Sequence, residues 1–206
     1  MQDNITIIDY GMGNLRSVEK KFVRVGAGVE ITNNPNIIIN AKKLVLPGVG
    51  HFANGVKKLK ELGIWEVLNE KVLKHKTPIL GICLGMQIMA KDGEEGGLKG
   101  LGWIDATVVK FQIKNHLRFK VPHMGWNDIV VDKESVLFQG VPEEAVFYFA
   151  HSYHIKCNNP KEILSTSDYE YNFTSSIQKD NIYGTQFHPE KSHDWGEIIL
   201  RNFINI

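Results

Sequence analysis

The apolar residues of the chain fall into two rhythms. ITIID at 5–9 is a short run rich in β-branched residues, as a buried strand requires. After a glycine turn, Asn14 stands where it can cap a helix, and Leu15, Val18, Phe22 and Val25 follow at steps of three or four that put them on one face. Gly26 and Gly28 stop that helix. A strand at 29–32 and another at KLVLP (43–47) come next, then a helix from about Phe52 on which Val56, Leu59 and Leu62 share a face. A further helical run spans 65–74; PILGI (78–82) reads as a strand and LGMQIMAKD (84–92) as a helix. This βαβα alternation is that of a mostly parallel sheet covered by helices.

The second half has a different period. WIDATVVKF, NDIVV, AVFYFA, YHIKC, EILSTS and TSSIQ are short strand-like runs separated by turn residues, which suits antiparallel additions to the sheet. NIYGTQF (181–187) and a last helix over 195–204 close the chain. The pattern predicts a three-layer α/β fold with a mostly parallel central sheet and an antiparallel extension. No repeat, low-complexity tract or linker divides residues 1–206, so one domain is expected.

Composition narrows the partners rather than naming one. With 43% hydrophobic and 23% charged residues, 206 residues suffice for one sizeable core. Lys and Arg number 24 against 23 Asp and Glu, so no strong overall field favours nucleic acid or an acidic membrane. The start MQDNITIIDYGMGN has no basic region followed by a long apolar core, and no apolar run approaches the roughly 20 residues of a membrane helix. A cytoplasmic location is therefore expected. Two cysteines, Cys83 and Cys157, make no disulfide framework in that setting. Cys157 ends an apolar strand run and reads as packing.

Cys83 is different. Gly81-Ile82-Cys83-Leu84-Gly85 is a G-x-C-x-G turn between a predicted strand and a predicted helix, the arrangement of a nucleophile elbow with cysteine as nucleophile. The glycines let strand and helix approach, and the turn presents the thiol at the carboxyl end of the parallel strands. The Leu84 N–H and the helix amino terminus would favour negative charge there. The five-residue pattern is short, and cysteine is more often a small packing residue than a nucleophile. QFHPEKS at 186–192 adds what the chemistry needs: His188 as base and, two residues on, Glu190 as a carboxylate to orient it, with Pro189 fixing the turn.

GICLGMQ together with QFHPEKS resembles the class I, triad-type glutamine amidotransferase family. IIDYGMGNLRSV, LPGVGHF (46–52), PHMGWN (122–127) and HPEKS (188–192) resemble its HisH-type branch, the glutaminase subunits of imidazole glycerol phosphate synthase. The resemblance implies a triad of Cys83, His188 and Glu190. It implies an oxyanion hole from the Leu84 N–H and the peptide around Val49 and Gly50. It assigns Gln87, Glu95, Ser152 and Tyr153 to the glutamine pocket, Glu95 meeting the α-ammonium group and the His151-Ser152-Tyr153 stretch the α-carboxylate. It further implies a heterodimer with a HisF-type (βα)8 cyclase, which converts PRFAR to imidazole glycerol phosphate and AICAR in histidine biosynthesis. Lys191, Trp126 and Met124 would then lie near the interface. A second implied role is that of a paralogue feeding ammonia to an HisF-like partner that amidinates a surface-polysaccharide sugar.

Other signals are weaker. Gly11-Met12-Gly13 suggests a dinucleotide loop, but Arg16 stands where its third glycine belongs. His151 and His154, three apart in strand-like sequence, should face opposite ways, and no Cys/His spacing resembles a zinc site. No cofactor and no metal is therefore expected. Another type of cysteine hydrolase would lack the HPE element and the PGVG loop, and a non-catalytic regulatory subunit would be expected to have lost a triad member.

Overall fold

The structure, a computed structural model, describes residues 4–206; the first three residues of the chain start considered above lie outside it. Strand β1 (Asn4–Ile8) pairs in parallel with β2 (Gly28–Thr32) and β3 (Leu44–Gly48). Between β1 and β2 runs α1 (Leu15–Arg24), where Asn14 Oδ1 accepts from the Ser17 N–H and Val18 and Phe22 are buried. A short helix α2 (Pro35–Ile38), not anticipated from the pattern, leads into β3, and α3 (Phe52–Glu61) follows it. Val56 and Leu59 face the core, but Leu62 is 38% exposed because α3 ends one residue before it. The next helix is α4 (Ile64–Asn69), which widens over Glu70–Lys74 before β4 (Ile79–Cys83) and α5 (Leu84–Ile88).

The helix expected over 84–92 is cut short: α5 stops at Ile88 and the chain enters β5 (Ala90–Gly93). The main-chain N–H groups of Leu101, Trp103 and Ile104 donate to the carbonyls of Ile88 and Met89 and draw the chain into a strand. That strand pairs in parallel with β6 (Ile104–Lys110).

The antiparallel half contains β7 (His123–Asp128), β8 (Val130–Val131), β9 (Val146–His151), β10 (Tyr153–Cys157), β11 (Ile163–Asp168), β12 (Asn172–Lys179) and β13 (Ile182–Thr185), then α6 (His193–Ile204). The main sheet runs β2-β1-β3-β4-β13-β12-β10-β6-β5, with β11 paired to β12 and β8 to β11. Not every antiparallel strand joins it, as β7 and β9 form a separate two-stranded ribbon. Strand alternation sends Leu44 and Leu46 into one apolar layer and Val45 into the other, so helices cover both faces of the sheet. Gly48 stands opposite Cys83 in the β3–β4 register, and Thr185 opposite Ile82 in β13–β4. The carboxyl ends of β3, β4 and β13 therefore meet along one edge, where open α/β sheets bind ligands.

Candidate active site

At that edge Cys83 has φ +53° and ψ −109°, a conformation that costs a non-glycine residue on the order of 1–3 kcal/mol. The surrounding glycines make it possible. A Cβ on Gly81 would lie 2.7 Å from the Met86 nitrogen, and one on Gly85 only 1.6 Å from the Leu46 oxygen. The thiol is not exposed as expected but only 5% accessible, because it forms the floor of a cleft. The cleft, about 400 Å³, is lined by Val49, Gly50, Leu84, Gln87, Glu95, Met124, Ser152 and Tyr153 among others. A larger depression of about 1000 Å³ near Asp128–Val131 and Ser135–Glu143 is lined by no cysteine or histidine.

His188 approaches from beyond β13. His188 Nδ1 lies 2.8 Å from Glu190 Oε1, with both side chains buried. The turn that holds them is fixed through its main chain. The His188 N–H donates to the Tyr148 carbonyl at 2.8 Å, the Ser192 hydroxyl donates to the His188 carbonyl at 2.7 Å, and the Tyr148 N–H donates to Ser192 Oγ at 3.0 Å. Burial opposes charge on the ring, but the adjacent Cys83 sulfur and then Glu190 outweigh it and raise the His188 pKa to about 10. Glu190 engages Nδ1, so Nε2 is the nitrogen of the His188 ring that is left for the Cys83 sulfur. The α5 helix has only five residues and its dipole is a small influence beside that charged ring.

A second chain of contacts fixes the sulfur from below. Gln186 Nε2 donates to Cys83 Sγ at 3.6 Å, and Gln87 Nε2 donates both to Gln186 Oε1 at 3.0 Å and to the Tyr153 carbonyl at 2.8 Å. Gln87, expected to line the glutamine pocket, does line the cleft, and its amide N–H groups are engaged by this scaffold. Gln186 was not among the expected site residues; its place two residues before His188 in QFHPEKS was the available signal. Glu95 Oε2 accepts from the Phe52 N–H at 2.6 Å, which ties the 93–97 loop to the start of α3. Burial, then Glu95 and Glu94, raise the pKa of Tyr153.

At the rim, Met124 and Trp126 are 65% and 46% exposed on β7. Trp126 stacks on His193 at 4.9 Å, and Lys191 Nζ lies 5.5 Å from the Tyr148 ring centre. These groups form a strip continuous with the 188–191 turn. His151 and His154 do not face opposite ways: Ser152 breaks the strand between them, and both rings pack on Phe111, at 5.2 and 4.7 Å. Among the described residues no group of three His, Cys, Asp or Glu side chains is placed to hold a metal, and no helix is long and apolar enough to cross a membrane.

A strained cysteine elbow, a buried His–Glu pair and this sheet define a class. Residues 6–206 match the model of the family described as glutamine amidotransferase class-I, and the chain belongs to that family. It is a HisH-like glutamine amidotransferase. "Imidazole glycerol phosphate synthase subunit HisH 2" of Methanococcus maripaludis is 52% identical, over 97% of this chain and 98% of its own. "Imidazole glycerol phosphate synthase subunit HisH 1" of Campylobacter jejuni is 48% identical, over 98% of this chain and the whole of its own. A solved structure described as a glutamine amidotransferase matches the fold, with a TM-score of 0.75 and 17% identity over 98% of this chain and 99% of that one.

Proposed function

We propose that the chain is the cytoplasmic glutaminase subunit of imidazole glycerol phosphate synthase, releasing ammonia through a triad of Cys83, His188 and Glu190. The observation that carries this reading is the buried 2.8 Å His188–Glu190 contact beside a cysteine whose charge raises the His188 pKa to about 10. The ring then keeps its proton at neutral pH. The thiolate attacks the side-chain carbonyl carbon of glutamine, and the oxyanion is met by the Leu84 N–H and an N–H of the Val49–Gly50 segment. His188 Nε2 gives its proton to the departing nitrogen, and ammonia leaves. In the thioester that remains, sulfur carries no charge, so the influence that holds the proton on His188 is gone. The neutral ring then takes a proton from water, which attacks the thioester and frees glutamate. Glu95 binds the α-ammonium group, Ser152 and Tyr153 the α-carboxylate, and Gln87 supports the cleft through Gln186.

Ammonia released into bulk water becomes ammonium and is lost as a nucleophile, so it must pass directly to an acceptor site. The partner is a HisF-type (βα)8 cyclase, seated against Lys191, Trp126 and Met124, that converts PRFAR to imidazole glycerol phosphate and AICAR. Val49 is 43% exposed and Gly50 has φ +113°, a conformation glycine adopts readily, and in this reading the loop reorients when the partner binds. The lone chain is accordingly a poor glutaminase. A second reading, a paralogue serving amidination of a surface-polysaccharide sugar, draws on the relatives' copy numbers, HisH 2 and HisH 1, because it requires more than one such chain in an organism. Glutamate release measured with the source's cyclase and PRFAR decides between them. Stimulation that depends on Cys83 supports the histidine role; a cyclase that neither binds nor activates the chain rules it out.

A further inference from the structure

The Tyr10 ring is fully buried against Gly55 and the layer that holds Leu46, Phe52 and Leu84, yet its hydroxyl has no hydrogen-bond partner. A buried hydroxyl without a partner is a net cost, and phenylalanine would fill the same space without it. The place of this hydroxyl suggests its use. A Cβ on Gly48 would lie 2.0 Å from it, 3.1 Å from Leu84 Cβ and 3.3 Å from the Gly85 nitrogen, so the phenol occupies the space under the first residue of the glycine loop. Gly48 is the residue opposite Cys83 in the strand register. Burial, and after it the charge of Cys83, push the Tyr10 pKa upward, so the hydroxyl stays protonated and is available as a donor.

We propose that Tyr10 is the positioning residue of the glycine loop: when that loop turns an N–H toward Cys83, the Tyr10 hydroxyl donates to a carbonyl of residues 48–49 and holds the turned form. The proposal rests on the glutaminase reading of the cleft. Tyr10 touches neither substrate nor the reacting atoms; it acts through the loop. The hydroxyl is unpaired in the resting loop and paired in the working one, so its hydrogen bond contributes only to the form that supplies the oxyanion donor.

Tyr10→Phe tests this in the assembled complex with cyclase and PRFAR, beside the wild type and Cys83→Ala. The expected result is a kcat lower by about tenfold or more, the scale of losing a well-placed oxyanion donor for much of the time. KM for glutamine should stay within about twofold, because ground-state binding is untouched. The melting temperature should equal or exceed that of the wild type, and iodoacetamide should alkylate Cys83 at the wild-type rate. A wild-type kcat in Tyr10→Phe overturns the proposal and leaves the hydroxyl as a packing remnant. So does a lower melting temperature with slower alkylation, which is general structural damage. If Cys83→Ala releases glutamate as fast as the wild type, the glutaminase reading itself falls and takes the latch with it.

Discussion

His188 and His123 are equally inaccessible, 2% and 3% exposed, yet the molecule drives their charges in opposite directions. His123 lies stacked between Phe149 at 4.9 Å and Tyr169 at 4.0 Å, and its Nδ1 is 3.2 Å from His151 Nε2. No anionic group among the described residues offsets the burial, which lowers its pKa to about 4. His151 is lowered too, by burial first and then by its neighbouring histidines, against a hydrogen bond to the Tyr153 carbonyl. At His188 burial pulls the same way, but the sulfur and a carboxylate reverse it and the pKa rises to about 10. Burial alone makes a histidine neutral and structural. A neighbouring sulfur and carboxylate at the same degree of burial keep a proton on the ring instead, and that contrast separates the candidate active site from the aromatic cluster around Phe111.

The contrast can be broken most sharply at Cys83. Cys83→Ala should lower glutamate release by about four orders of magnitude or more, the scale seen when a covalent nucleophile is removed. It should also bring the His188 ring, followed by NMR, to titrate well below 10; a ring that still titrates there would mean that the sulfur is not what holds its proton. Glu190→Gln keeps the shape but removes the carboxylate, and kcat should fall by roughly two to three orders of magnitude with the melting temperature little changed. A near-normal kcat in that variant would leave Glu190 without a role.

The pH dependence of folding sharpens the same comparison with smaller effects. His123 is neutral when folded and takes a proton below about 6.5 when unfolded, so its contribution is lost as pH falls from 6.5 toward 4. The loss is on the order of 2–3 kcal/mol across that window. His123→Phe should flatten the acid limb of the melting curve, and an unchanged limb would contradict the assignment. His188 has the opposite sign. Its contribution is complete below about 6.5 and is lost as pH rises through about 10, and Cys83→Ala should weaken that alkaline decline.

The parallel half was legible because its strands, buried on both faces, are continuous apolar runs such as PILGI and KLVLP. The elbow was legible because G-x-C-x-G has a steric cause that acts locally, which the short approaches at Gly81 and Gly85 make explicit. Features fixed by distant residues were not. The end of α5 is set by N–H groups from residues 101–104, and the pairing of β7 with β9 instead of the main sheet is a tertiary choice that alternation does not encode. Period-two reasoning failed for His151 and His154 because a break at Ser152 reset the strand. The residues expected to line the pocket do meet in one cleft, but Gln186 beneath the sulfur and Tyr10 beneath the loop are apparent only once β4, β13 and the glycine loop are brought to the same edge.

The central claim is that Cys83 carries the glutamyl group. The most direct test is to incubate the cyclase complex with labelled glutamine, quench it in acid and map the label by mass spectrometry. A glutamyl adduct on the peptide containing Cys83, absent from Cys83→Ala and more abundant when Glu190→Gln slows hydrolysis of the thioester, is the predicted result. Glutamate formed at the wild-type rate by Cys83→Ala, or label recovered on another residue, would contradict it.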